Sequence, residues 1–137
     1  MAGMTLIEVV IALLIAGLTV AGVISGYIYC MTSAVRTELM EAAHSQALAR
    51  IEQTRSAVWA PNRSQAVDDL VASNFPNIQV TLDLPGTNGG TVATIQTTIA
   101  QISANPALRK IHVDAIWNFR GNEWVTNSIE TVRSPDQ

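Results

Sequence analysis

The chain of 137 residues is poor in charge, cysteine and aromatic side chains. Charged residues make up 14%, against about a quarter in ordinary soluble domains. The net charge is -3 and the isoelectric point 5.2, so no basic footprint points to a nucleic-acid partner. A single cysteine, Cys30, cannot form an internal disulfide or hold a zinc ion alone. It sits in an apolar stretch, where an unpaired cysteine is a small packing residue. No HExxH, GxSxG, CxxC or phosphate-binding loop occurs, which leaves no catalytic constellation to assemble. The length allows one domain plus an extended element, and hardly two domains.

Hydrophobic residues reach 48%, and they are concentrated before Val35. From Val9 to Val35 there is no Asp, Glu, Lys or Arg, a run of about 27 residues where a bilayer core needs about 20. A cleaved secretory signal has a basic flank and a shorter apolar core. Here the flank is only Met1-Ala2-Gly3, so a membrane-spanning helix over about residues 6–29 is the favoured reading. Small residues recur four apart within it, at Ala12 and Ala16, Gly17 and Ala21, Gly22 and Gly26. This spacing lets helix backbones approach closely, although Ala and Gly are also common in membrane helices for no such reason.

After Arg36 the pattern turns amphipathic. Met40, Ala43, Ala47 and Ile51 form one stripe, widened by Leu39, Leu48 and Val58, while Arg36, Glu38, Glu41, Arg50 and Glu52 fall mostly elsewhere. No Gly or Pro interrupts Tyr27 to Ala60, and Ala60-Pro61-Asn62 reads as a stop. The expectation is one helix over residues 4–60, ~80 Å long at 1.5 Å per residue.

Glu8, at the edge of the uncharged run, has two compatible readings. Thr5-Leu6-Ile7-Glu8 fits a capping box, with the Thr5 hydroxyl accepting from the Glu8 amide and the carboxylate reaching back. Alternatively, a carboxylate drawn into an apolar assembly must be paired. If the chain began at Met4, its new amine would lie about 6 Å along the helix from Glu8. The Glu8 of one chain could then pair with the amine of the next.

Gly3-Met4-Thr5-Leu6-Ile7-Glu8 followed by a long apolar helix closely resembles the N-terminal motif of type IV prepilins and of type II secretion pseudopilins. The resemblance implies cleavage after Gly3 by a prepilin peptidase, N-methylation of Met4, and docking of Glu8 into a filament. Thr5 also matches, and so does Gly17, where many members carry glycine. Gly22 and Gly26 flank Ser25, which stands where many pilins have a kinking proline. Met4 replaces the commoner phenylalanine. The short leader, residues 1–3, carries no Lys or Arg, and the nearest basic residue is Arg36, so either the family's machinery overrides a weak bias or the true start lies upstream. The resemblance, not the charge, implies an N-terminus in the cytoplasm and a C-terminal domain in the periplasm of a bacterial inner membrane.

The remainder, residues 61–137, reads as a β-rich globular domain. Arg63 to Ala72 is expected to form a short helix ended by Phe75-Pro76-Asn77. Ile78, Val80, Leu82 and Leu84 alternate as a half-buried strand, and residues 85–90 form a loop. Val92 to Ile102 fits a helix face or a strand; its threonines favour strand. Ile111, Val113, Ala115, Trp117 and Phe119 alternate most strongly, and Arg120-Gly121-Asn122-Glu123 turns the chain back into Trp124 to Val132. The strand ending in Trp and its returning partner are similar, more loosely, to I-type minor pseudopilins.

The side chains with chemical potential have plain readings. His44 and His112 are surface or boundary histidines. Asp68-Asp69, on a helix, would point to different faces. Asp83 with Asn88 offers too few oxygens for calcium. Of Trp59, Trp117, Phe119 and Trp124, the core claims Trp117, and Trp124 is the best candidate for a surface contact.

The combined expectation is an α+β fold, a long N-terminal helix packed on a small antiparallel sheet. The protein is expected to be a structural filament subunit, a minor pseudopilin or minor pilin, needing no cofactor or metal. Its partners would be other pilin-like subunits, prepilin peptidase, the inner-membrane assembly platform, and lipid before assembly. The alternative is a single-pass anchored periplasmic binding or sensor domain, which would need neither cleavage nor Glu8.

Overall fold

A computed structural model describes residues 5–83, 90–121 and 123–136. Helix α1 runs Leu6–Ser56, followed by β1 (Trp59–Ala60), β2 (Val67–Asp68), a 3-10 turn at Ala72–Asn74, β3 (Ile78–Thr81), β4 (Val92–Ala104), β5 (Ala107–Phe119) and β6 (Glu123–Arg133). The chain divides into two compact units, Met1–Thr37 and Glu38–Gln137.

In the first unit α1 is unbroken through Gly17, Gly22, Ser25 and Gly26. The hydroxyls of Thr19 and Thr32 donate back to the carbonyls of Ile15 and Ile28, at 2.8 and 2.9 Å. These bonds satisfy hydroxyls that an apolar surrounding would otherwise leave unpaired.

The second unit is an α+β domain. Strands β3-β4-β5-β6 form one antiparallel sheet in sequence order, and β1 pairs with β2 in a separate two-stranded ladder. The β4–β5 hairpin turns over Asn105 and Pro106 and carries one irregularity between Gln101 and Ser103. The β5–β6 hairpin keeps one register from Phe119↔Glu123 to Arg109↔Arg133. Its turn uses left-handed backbone at Arg120 (φ 52°) and Gly121 (φ 76°), a conformation that glycine adopts without a Cβ penalty.

Period-two alternation decides which sheet face is dry. Ala93, Ile95 and Thr97 of β4, Ile111, Val113, Ala115, Trp117 and Phe119 of β5, and Val125 of β6 are all buried. All but Thr97 share one hydrophobic core cluster with Leu39, Ala43, Ala47 and Ile51 of α1. The sheet supplies most of the bulk and the helix mostly small residues, so the two layers fill the space between them.

The expected stripe on α1 is rotated. Leu39, Ala43, Ala47, Arg50, Ile51 and Thr54 are buried, whereas Met40, Leu48 and Val58 are about two-fifths exposed. Arg50 therefore does not lie on the outer face. Its Nε donates to Thr97 Oγ1 (3.1 Å), and its terminal nitrogens donate to Gln53 Oε1 (2.9 Å) and the Pro76 carbonyl (2.5 Å). The guanidinium also stands over the Phe75 ring at 5.3 Å. Burial lowers its pKa from the usual arginine value.

Two expected elements differ. The helix stops at Ser56 rather than near residue 60, because Trp59–Ala60 pairs with Val67–Asp68 and buries Trp59. Residues 63–71 are not helical, and Ala72 opens the 3-10 turn; the segment supplies β2 and drops Leu70 into the core. Tertiary pairing outweighs a weak local preference there. Val92 to Ile102 lies within β4, as a strand. Of the Ile78–Leu84 strand, Ile78–Thr81 is paired, and Leu84 and the loop at 85–89 fall outside the described residues. Ile78 is 37% exposed, so β3 is less buried than its alternation suggested.

Trp117→Ala is expected to cost about 3–5 kcal/mol, since it empties a fully buried site. Leu48→Ser is expected to stay within about 0.5 kcal/mol. Urea unfolding of the detergent-solubilised chain, followed by circular dichroism, reads both.

Candidate functional site

Two of the residues singled out in the sequence, Gly3 and Met4, lie outside the described residues. At Thr5 the helix begins: the Glu8 amide donates to the Thr5 main-chain carbonyl at 3.0 Å, and the Val9 amide reaches the same oxygen at 3.3 Å. The bond that starts α1 is thus main chain to main chain, not the hydroxyl contact of the capping-box reading.

The surface above Glu8 is apolar on every side. Large hydrophobics from Leu6 to Val35 are 40–85% exposed. The most apolar 18-residue window has mean hydropathy 2.6 and no residue buried within the chain. One helix is therefore long and apolar enough to cross a membrane. Gly17, Gly22 and Gly26 face open space: a Cβ built at any of them meets nothing within 4 Å. Cys30 is likewise exposed, so it packs against nothing in its own chain. A surface of this kind needs lipid or neighbouring helices to cover it.

In the second unit, Arg133 ties the end of α1 to the sheet, and Arg109 ties the segment that follows it. Arg109 and Arg133 are opposite each other on β5 and β6, and each has its own aspartate. Arg109 donates to both Asp68 oxygens and to the Leu70 carbonyl, each at 2.6 Å, with its guanidinium 4.5 Å from the centre of the Trp59 ring. Arg133 donates to the carbonyls of Thr54 (2.7 Å) and Ala57 (2.6 Å) and to Asp136 Oδ1 (2.7 Å). It thereby satisfies carbonyls that the helix end leaves open. Asp136 accepts the Trp59 amide at 2.8 Å, and its own amide donates to the Trp59 carbonyl at 2.7 Å.

These bonds hold the Asp68 carboxyl below the usual range, chiefly through Arg109. They hold Asp136 below it through the Trp59 amide and then Arg133. Asp68 raises the pKa of Arg109 in return. Asp68 and Asp69 are not a helical pair: Asp68 is on β2, and the Asp69 amide donates to the Val58 carbonyl.

The outer sheet face carries a polar chain that sequence reading missed. His112 Nε2 lies 2.8 Å from Asp114 Oδ1, and its Nδ1 lies 2.9 Å from Glu130 Oε1. Lys110 reaches the same Glu130 oxygen at 2.9 Å, and the Ser128 hydroxyl donates to Asp114. Lys110 first, then His112, holds Glu130 below the usual carboxylate range. Residues 110, 112 and 114 alternate on β5 opposite 132, 130 and 128 of β6, and that register was the signal available. Ser128 bonds a carboxylate, not the imidazole, so the group lacks the nucleophile–base contact of a hydrolase.

Trp124 is 72% exposed, while Trp59, Trp117 and Phe119 are buried. Asp83 binds the amide and hydroxyl of Thr91 at 2.5 and 3.0 Å, and Asn88 lies outside the described residues. Among the described residues no three His, Cys, Asp or Glu side chains are grouped to hold a metal ion.

No family model, curated protein or solved structure matches this chain.

Asp68 and Asp136 both have folded-state pKa values below the ordinary carboxylate value. Their stabilisation is present above that ordinary value and is lost as pH falls through it towards the folded values. The melting temperature is expected to decline in acid. The double variant Asp68→Asn with Asp136→Asn should start lower at neutral pH and show a flatter acid limb in a thermal-unfolding series across pH.

Proposed function

We propose that this chain is a structural subunit of a type IV pilus-like filament, a minor pseudopilin of type II secretion or a minor pilin. The observation that carries the reading is the helix from Leu6: apolar on all sides, with its large hydrophobics exposed from Leu6 to Val35, and headed by one carboxylate at Glu8. The motif from Gly3 to Glu8 supplies the rest by resemblance. In this reading the precursor rests in the inner membrane with its C-terminal domain in the periplasm. Prepilin peptidase cuts after Gly3 and Met4 is methylated. Glu8 then pairs with the Met4 amine of a neighbouring subunit while the apolar helices bundle through Gly17, Gly22 and Gly26 on the assembly platform. Pairing is what makes the carboxylate tolerable among apolar helices, because an uncompensated charge there is costly. The exposed glycines favour close helix approach without obstruction.

The sheet domain would serve as the outward-facing part, and no enzymatic role is assigned to it.

Intact-mass and N-terminal peptide analysis of protein from native membranes tests the reading. The expected chain starts at methylated Met4, and a Gly3 substitution abolishes that form. Glu8→Gln is expected to be processed normally yet to be absent from sheared filaments. A mature chain that keeps residues 1–3 would instead favour an anchored periplasmic binding or sensor domain.

A further inference from the structure

The charge-free run from Val9 to Val35 is about 40 Å long as a helix, and a hydrocarbon core is about 30 Å thick. Hydropathy therefore leaves several depths open to α1 in a bilayer. The aromatic residues choose among them. The chain has two tyrosines, Tyr27 and Tyr29. Both stand on α1, 65% and 74% exposed. They follow Glu8 by 19 and 21 positions, about 29 and 32 Å along the helix axis. That span is one core thickness, with a carboxylate at one end and two phenols at the other.

Their placement around the axis points the same way. Positions two apart on a helix are separated by about 200°, so the two rings leave α1 on opposite sides. A seam against one neighbouring helix is built from side chains three or four positions apart. Rings on opposite sides suit surroundings that are alike in every direction, and the headgroup layer of a bilayer is of that kind. Tyrosine fits the layer because its ring stays apolar while its hydroxyl stays wet. The next residues agree: Thr32 and Ser33 follow the tyrosines, and Arg36 is the first cation of the chain.

We propose that Tyr27 and Tyr29 form an interfacial belt that fixes the depth of α1 in a lipid bilayer. The hydrocarbon core then reaches from just beyond Glu8 to the tyrosines. Cys30 to Val35 lie in the headgroup layer, although hydropathy alone would admit them to the core. A core that ended at Val35 would sink the two phenols by about 9–12 Å and strip their hydroxyls of water, which is costly without another partner. It would also leave the first apolar turns after Glu8 outside the lipid. The belt rests on the membrane anchoring in the reading above, and on neither its cleavage nor its filament.

The test is cysteine labelling by a water-soluble maleimide. The full chain is held in nanodiscs of phosphatidylethanolamine and phosphatidylglycerol, which leave both bilayer faces open. Cys30 is expected to react, as is Ser33→Cys in a Cys30→Ser background. Leu18→Cys and Ile24→Cys in that background are expected to resist. Tyr27→Leu with Tyr29→Leu should let the helix sink, so that labelling at positions 30 and 33 is lost. Tyr27→Trp with Tyr29→Trp should keep the parent's pattern. An unchanged pattern in the leucine pair would overturn the proposal. So would protection of positions 30 and 33 in the parent, which sets the boundary near Arg36. Protection at position 18 with an indifferent tyrosine pair leaves the spanning helix and removes only the belt. Labelling of Leu18→Cys removes the spanning helix, and the belt with it.

Discussion

From Leu6 to Val35 the helix has no polar face, and the first unit is built around that. Its backbone polar groups are satisfied internally, its threonines bond back to their own turns, and its side chains have nothing in the chain to pack against. A segment of this kind is stable only in lipid or among other helices. The one carboxylate at its head, Glu8, then acquires a meaning that a surface glutamate lacks. It is acceptable at a membrane edge, and inside an assembly only with a cation beside it.

From Glu38 onward the same helix obeys a different constraint. It must lay one stripe on a sheet and leave the rest to water. The stripe is made narrow by Ala43 and Ala47, and the sheet responds with Trp117, Ile95 and Ile111. Beside the core, the arginines of β5 and β6 fix the helix end and the segment that follows it. Arg133 binds its terminal carbonyls, and Arg109 binds the returning segment across Trp59. Each arginine has an aspartate of its own, which lets two like charges stand opposite each other in the sheet.

The core strands were legible because they alternate. Ile111 to Phe119 could bury only one face, and that face fixed the hairpin with β6. The helix was legible from its lack of breakers. Its rotation was not, because hydropathy ranks Met40, Leu48 and Val58 above the polar Arg50 and Thr54 that took the buried line. Only packing shows that Arg50 and Thr54 occupy the buried line. Arginine at an interior position is invisible to hydropathy; it is made possible by Thr97, Gln53 and the Pro76 carbonyl, which come from three different places in the chain.

The segment between Pro61 and Asn77 shows the same limit from the other side. Val67, Leu70 and Val71 suit a helix face as well as they suit an irregular crossing. The choice fell to Trp59, whose burial requires a strand partner, and to Arg109, whose aspartate lies on that partner. The outer-face chain of Lys110, Glu130, His112, Asp114 and Ser128 likewise depends on register between strands, a distance of 14 to 20 residues along the chain.

The sequence by itself determined the apolar helix, its carboxylate head, the alternating strands and the turn between them, because each follows from spacing within a few residues. Tertiary structure decided where α1 ends, which of its faces is dry, and which charges meet. Those outcomes depend on groups that only the folded chain brings within hydrogen-bonding distance.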